Sequence, residues 1–549
     1  MLIRRTATSA AAAILSLHFS TSTKPFSKIP WKHRPKAIKD SQKSLTDYLH
    51  ATRSLPFLYA DNIARNSPQS LWKIVSKIPF SPSNFSCSFQ KILRYHPINE
   101  LDFFFESIGL NSDETENRTT YFLSEFKHFD VACALAGMGF PWSKLGLLCK
   151  DGFFIFESDP SDLERKFNEI KNAFGFNSVI IISICLAFPR VLHIDGEMDS
   201  LLSDLKILFL DYDLWSSVEG GNVDDVFCIC LKIKSFYDLG CEMGKIGELM
   251  GRSKTVFIEH TKEDLISKFD FFCKLDVRKD EIGIFLLSRP EIFGFDLGNR
   301  VVSVSGFLEQ LGLRENELEL LQQNYPHVFG NNKVAYLPNV MRSLNLGEWF
   351  FEKMRNGYHP LLATCTIVCC PDEFDIHYKE SLIRLRTKRT HVHAMKKLNF
   401  LHSIGFGENK FAVEALPFLS SSKNHLHQRF DCLLRCGIEY SKLCMIVKLM
   451  PKILNQGERS LQKKIEYLCN DIGSSLDYLD VFPGYLCYDL EKRIKPRFKF
   501  HKWLMEKGLC QREYSLSTII ACSEKAYVER LFRINRDAAM MWQDNRVDC

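Results

Sequence analysis

Apolar residues recur three and four positions apart through most of this chain, in runs that are short and regularly interrupted. In the stretch Val301 to Asn332, Val302, Ser305, Leu308 and Leu311 fall at helical spacing, which predicts a helix with one apolar stripe. Gly312 suits the end of that helix, where a left-handed residue is needed and Gly adopts it without a Cβ clash. Leu318, Leu321 and Gln322 then predict a second helix, ending near Tyr325 because the residue before a proline is pushed out of the α region. Pro326 can open a third, short helix, with "HVF" as its apolar face. The segments Leu265 to Phe295 and Arg429 to Asn455 read the same way.

The interruptions keep a frame. Gly175, Gly312 and Gly437 are each followed fourteen positions later by a proline: Pro189, Pro326 and Pro451. Asp276 takes the Gly place ahead of Pro290, while Gly139 leads to Phe153 and Gly240 to Lys254 without the proline. The prolines step by 36 residues from Pro290 to Pro326, by 34 to Pro360, by 34 from Pro417 to Pro451 and by 32 to Pro483. A unit of that length cannot bury its apolar side alone and must stack on copies of itself, so the expected fold is an all-α solenoid of about 34-residue, three-helix repeats.

Composition narrows the picture. A chain of 549 residues is too long for one compact core, but a repeat array grows in one dimension. No apolar run reaches the roughly 18 residues that cross a bilayer, and the longest, Ser178 to Pro189, reads as a buried helix. The 19 Cys include no C-x-x-C pair. Cys365 and Cys369, and Cys432 and Cys436, lie one helical turn apart with His391 and His393 nearby, yet the spacings match no structural zinc pattern. They read as reduced thiols of an intracellular compartment. "GCEMGKIG" (Gly240 to Gly247) has three residues between its first two glycines where a phosphate loop has four, and Ile246 where Ser or Thr would hold Mg²⁺. With no Gly-x-Ser-x-Gly and no His-Glu-x-x-His either, the chain is expected to be no enzyme and to need no cofactor and no metal.

Residues 1 to 39 hold eight Lys or Arg and no acid, in a context rich in Ala, Ser and Thr. That fits an organellar transit peptide, mitochondrial by its early Arg4 and Arg5, with the chloroplast as the alternative. The expected organisation is a transit peptide over 1–39, a non-repeat region over 40–125, the repeat array over 126–510 and a closing segment over 511–549.

Net charge is only +5, but it is unevenly placed. Asp195 to Asp225 carries nine acids and one Lys, whereas Lys379 to Lys507 carries 24 Lys or Arg against 13 acids. Three basic clusters, Lys379 to Lys397, Lys448 to Lys464 and Glu491 to Lys507, are helical in pattern. In a solenoid, equivalent outward positions align, and a row of cations there would track a phosphate backbone by counterion release. The competing reading is a protein-interaction scaffold without nucleic acid, for which the acidic stretch is the support.

The C-terminal "LEKRIKPRFKFHKWLMEKGL" (Leu490 to Leu509), with the repeat and the transit-like start, resembles the plant mitochondrial transcription termination factor (mTERF) family. Leu490, Arg493, Ile494, Pro496 and Arg497 match its Leu-x-x-Arg-(aliphatic)-x-Pro-Arg segment, and Leu504, Lys507, Gly508 and Leu509 match its Leu-x-x-(Lys/Arg)-Gly-Leu segment. The resemblance covers about Asp130 to Phe532. It implies a right-handed superhelix with organellar RNA or double-stranded DNA in a basic groove, other organellar gene-expression proteins as possible partners, and work in transcription termination, transcription regulation or intron splicing. The residues expected to meet phosphate are Arg384, Arg386, Lys388, Arg389, Lys396, Lys397, Lys452, Lys463, Lys464, Arg493, Lys495, Arg497, Lys499 and Lys502. Arg493 and Arg497, one turn apart beside Pro496, are equally suited to bracing the last repeat by capping helix carbonyls. Two departures stand out: the acidic repeats between Asp195 and Lys254 lack their proline, and the 57-residue step from Pro360 to Pro417 predicts an irregular unit carrying the first basic cluster.

Overall fold

A computed structural model describes residues 29–544 except 97, 111–122, 124–127, 194–197, 219, 365–372 and 388. The 1–39 segment therefore lies mostly outside the described residues, as do Lys388, Cys365 and Cys369. The chain divides into two compact units, residues 1–262 and 263–549.

One repeated element recurs in both units. A first helix ends on a residue of positive φ, a second helix crosses back, and a short third helix closes the repeat. In the first unit the positive-φ position is Gly139, Gly175, Asp213 and Gly240; in the second it is Asp276, Gly312, Asn345, Gly405, Gly437, Gly473 and Gly508. Asp276 at φ 67° and Asn345 at φ 58° are short polar side chains that tolerate the left-handed region. Prolines open the third helices Pro189–Leu192, Pro290–Gly294, Pro451–Asn455 and Pro483–Cys487 at their first position. These four are 3-10 turns, whereas the third helices without the proline, Phe154–Glu157 and Thr255–Glu259, are α-helical.

Two expectations are corrected. The helix expected from Val302 starts only at Val304, because Val301–Ser303 pairs antiparallel with Asn331–Lys333, Val302 opposite Asn332. The same pairing draws out the chain after Pro326, so that proline opens a turn and not a third helix. The irregular step contains an added helix, Glu373–Arg386, which packs on Lys410–Ala415 and buries Tyr378 against His402.

In the first unit, helices Arg34–Ala51, Phe57–Asn66 and Glu100–Ser107 pack together around buried Glu100, which accepts from Arg53 at 2.6 Å and from the Leu123 amide at 2.9 Å. Helix Ser178–Ala187 is buried from Ile180 onward against Val223–Asp238. Among the described residues no single helix is long and apolar enough to cross a membrane. In the second unit a continuous core runs from Tyr378 of the added helix to Ile520 through four successive repeats, and a smaller one joins Leu504 to Tyr527 and Trp542.

Candidate nucleic-acid interface

The first helices decide which cations face outward. Lys232, Lys268, Lys397 and Arg429 stand eight positions before Gly240, Asp276, Gly405 and Gly437. Each reaches a carbonyl of its own repeat's third helix or of the residue that follows it: Lys232 to Phe257 at 2.7 Å, Lys268 to Phe295 at 2.6 Å, Arg429 to Leu454 at 2.7 Å, and Lys397 to Leu419. A short helix leaves its last carbonyls unpaired, and this side chain satisfies one of them. In the following repeat a π-type turn, Tyr467–Asp471, takes in one extra residue. Lys464 there stands nine positions before Gly473 and makes the same bond, to Leu486 at 2.8 Å. Burial lowers the pKa of Lys268 and Lys464, opposed by Asp264 and Asp296 at the first and by Cys487 and Asp489 at the second.

The residue just before each brace is turned away from it by about 100° on the helix. Lys396, Gln428 and Lys463 hold that position on the three packed helices His391–Ser403, Lys423–Arg435 and Glu458–Glu466, and all three are exposed. They form one outward row with two ammonium groups. Lys499 and Lys502 are exposed on the next first helix, Lys495–Glu506.

Sorted by surroundings, the expected phosphate contacts separate. Arg386, Arg389, Lys396, Lys452, Lys463, Lys499 and Lys502 are exposed and make no ion pair among the described residues. Arg384 is exposed but paired with Glu380 at 3.1 Å, and Lys495 is paired with Glu491 at 2.6 Å. Four are corrected. Lys397 and Lys464 are braces. Arg493 is half-buried, donating to Ile520 at 2.9 Å and to Cys522, with its guanidinium 4.5 Å from the centre of the Tyr488 ring. Arg497 is 2% exposed, donates to the carbonyls of Ile519 at 3.0 Å and Cys522 at 2.8 Å, and pairs with Glu524 at 2.7 Å. Their charge is engaged inside the fold, so a phosphate would have to unseat an existing partner.

Reading the sequence missed the brace series itself. Its signal was present, a basic residue at a fixed distance before the left-handed position, but it was counted as surface charge. The glycine loop also resolves. Asp204, buried, accepts from the amides of Gly244 at 2.7 Å and Gly247 at 2.8 Å and from the Tyr237 hydroxyl at 2.9 Å. A carboxylate thus occupies the amides that a phosphate would need. Cys432 and the other described cysteines form no disulfide, and no three His, Cys, Asp or Glu among the described residues come together as a metal site.

Comparison with known proteins adds a lineage to this geometry. A family model described as mTERF matches residues 213–362 and 386–528, and its interruption falls on the added helix Glu373–Arg386. The mitochondrial transcription termination factor MTEF18 of Arabidopsis thaliana is 43% identical over 96% of this chain and 96% of its own length. The chloroplastic transcription termination factor MTERF8 of the same plant is 24% identical over 59% of each chain. A mitochondrial one, MTERF15, is 30% identical over 18% of this chain and 22% of its own.

Proposed function

This chain belongs to the mTERF family, and on that premise we propose that it regulates gene expression in an organelle, the mitochondrion, by binding nucleic acid without chemistry of its own. The observation that carries the reading is the likeness, from one end to the other, to a mitochondrial transcription termination factor. The row of Lys396 and Lys463, with Arg386, Arg389, Lys452, Lys499 and Lys502 nearby in sequence, supports it by offering unpaired cations at repeat-spaced positions, as a regularly spaced polyanion requires. The function acts either on transcription, by halting or tuning the polymerase, or on the transcript, as in intron splicing.

The test is to crosslink the tagged protein in isolated mitochondria and sequence the RNA and DNA recovered with it. Enrichment on duplex DNA beyond a gene end supports a role in transcription. Enrichment over an intron or a transcript end supports a role in RNA processing. Recovery of neither sinks the reading and favours a protein scaffold, whose best support is the exposed acids Asp199, Asp211, Asp213 and Asp225.

A further inference from the structure

The second and third helices of the C-terminal repeats form an edge of their own, apart from the outward row on the first helices. Three 3-10 helices, Leu416–Phe418, Pro451–Asn455 and Pro483–Cys487, succeed one another along it. The first two are tied by Asn455, which donates to the Phe418 carbonyl at 2.7 Å and accepts from the Ser420 amide at 2.9 Å, and the second packs on the third. This edge exposes apolar side chains where a repeat should hide them. Phe418 is 46% exposed, Leu449 57% and Val481 78%. Leu449 and Val481 are equivalent, each two residues before the proline that opens a third helix.

Cations accompany the rings. Lys452 Nζ lies 5.3 Å from the centre of the Phe418 ring, and Lys448 Nζ lies 4.9 Å from that of Phe411. Lys448 lies in the second helix Tyr440–Leu449 and Lys452 in the third helix Pro451–Asn455, and each cation sits over one of the two rings. Glu414, between the two rings in sequence, is the exposed acid on that helix. A double helix hides its base faces within the stack and could use only the cations. A single strand presents both unstacked bases and phosphates, and exposed rings beside cations are the surface that takes both.

Building on the nucleic-acid reading above, we propose that this edge is a second contact, a track for a single-stranded polynucleotide. Its bases stack on Phe418 and lie against Leu449 and Val481, while Lys448 and Lys452 take the phosphates. The row on the first helices contacts backbone alone, so the two surfaces differ in what they discriminate.

The experiment measures binding of the full chain to an RNA single strand of about 16 nucleotides, the DNA of the same sequence, and the corresponding duplex. The variants are Phe418→Ala, Phe418→Trp and Lys452→Gln. Loss of one stacked base predicts that Phe418→Ala weakens single-strand binding about five- to tenfold while duplex binding changes less than about twofold. Phe418→Trp keeps the affinity, and Lys452→Gln lowers the salt dependence by about one phosphate. Equal loss with RNA and DNA assigns the track to any single strand; greater loss with RNA assigns it to contacts at the 2′-hydroxyl, and both support the track. Unchanged single-strand affinity in Phe418→Ala, or an equal loss for duplex, overturns it alone. If the unaltered chain binds none of the three, the functional reading falls with it.

Discussion

The ammonium of Lys464 donates to the carbonyl oxygen of Leu486 at 2.8 Å, while its neighbour Lys463 projects into solvent. Two adjacent lysines in one basic cluster therefore have opposite tasks. Lys464→Met leaves a buried carbonyl unpaired and is expected to cost about 1–3 kcal/mol of stability. Lys463→Ala is expected to stay within about 0.5 kcal/mol. Urea unfolding of the two variants side by side checks this; equal losses would remove the distinction.

The outward cations predict an affinity effect instead. Neutralising Lys396, Lys463 and Lys499 together is expected to reduce the slope of log affinity against log salt by about 0.7 to 0.9 for each phosphate left without its cation. Titration of an organellar RNA or duplex at several salt concentrations reads it directly. A slope equal to that of the unaltered chain would place the phosphate-binding groups elsewhere.

Arg497 anchors the closing segment. Removing it strands Glu524, which also accepts from the Trp542 indole N–H at 2.8 Å, and takes a donor from the Ile519 carbonyl, while those of Ile520 and Cys522 keep their bonds from Arg493. Arg497→Ala is expected to cost about 2–4 kcal/mol and to open the chain beyond Glu506 to protease. Cleavage at the unaltered rate would show that the anchor is dispensable.

The left-handed positions are not alike. Gly405 has φ 105°, and a Cβ there would press on the Ser343 side chain and the Asn339 carbonyl. Gly405→Ala is expected to lose about 2 kcal/mol or more. Gly473, at φ 76° with open space around it, is expected to accept Asn for under about 1 kcal/mol. Melting temperatures of both variants compare them.

His327 gives a pH dependence. Its ring is fully buried with neither nitrogen bonded, and burial, reinforced by Lys448, holds its pKa down to about 3. Unfolded, it titrates near 6.5, so between those values the unfolded chain binds the extra proton. The stability of the neutral ring is complete above about pH 6.5 and is lost progressively toward pH 3. Burial lowers His402 as well, with its bond to the Phe406 carbonyl opposing. His327→Leu is therefore expected to flatten the acid side without abolishing its slope, by about 2 kcal/mol at pH 5. Parallel unfolding curves at pH 5 and pH 7 test it.

The repeat was legible because its marks are backbone demands. A left-handed residue and a helix-opening proline are constraints that few residue types meet, and Asp276 could be recognised by its place in the frame. The Val301–Ser303 strand was hidden because three residues fit either periodicity, and pairing with Asn331–Lys333 decided between them. Charge was the least legible feature. Composition sees Lys463 and Lys464 as the same residue, and only the helical phase, 100° apart, assigns one to water and the other to Leu486. That phase was itself obscured where the π-type turn shifts the brace from eight positions before the glycine to nine.

That turn also bears on how the array can change length. A similar turn ends the first helix of an earlier repeat, at Ile207–Asp211. Where a one-codon insertion falls in the last turns of a first helix, the bulge absorbs it locally, and the Lys464 bond survives with the extra residue in place. Indels among descendants of this gene are thus expected inside helices as well as in loops, without disturbing the stacking of neighbouring repeats.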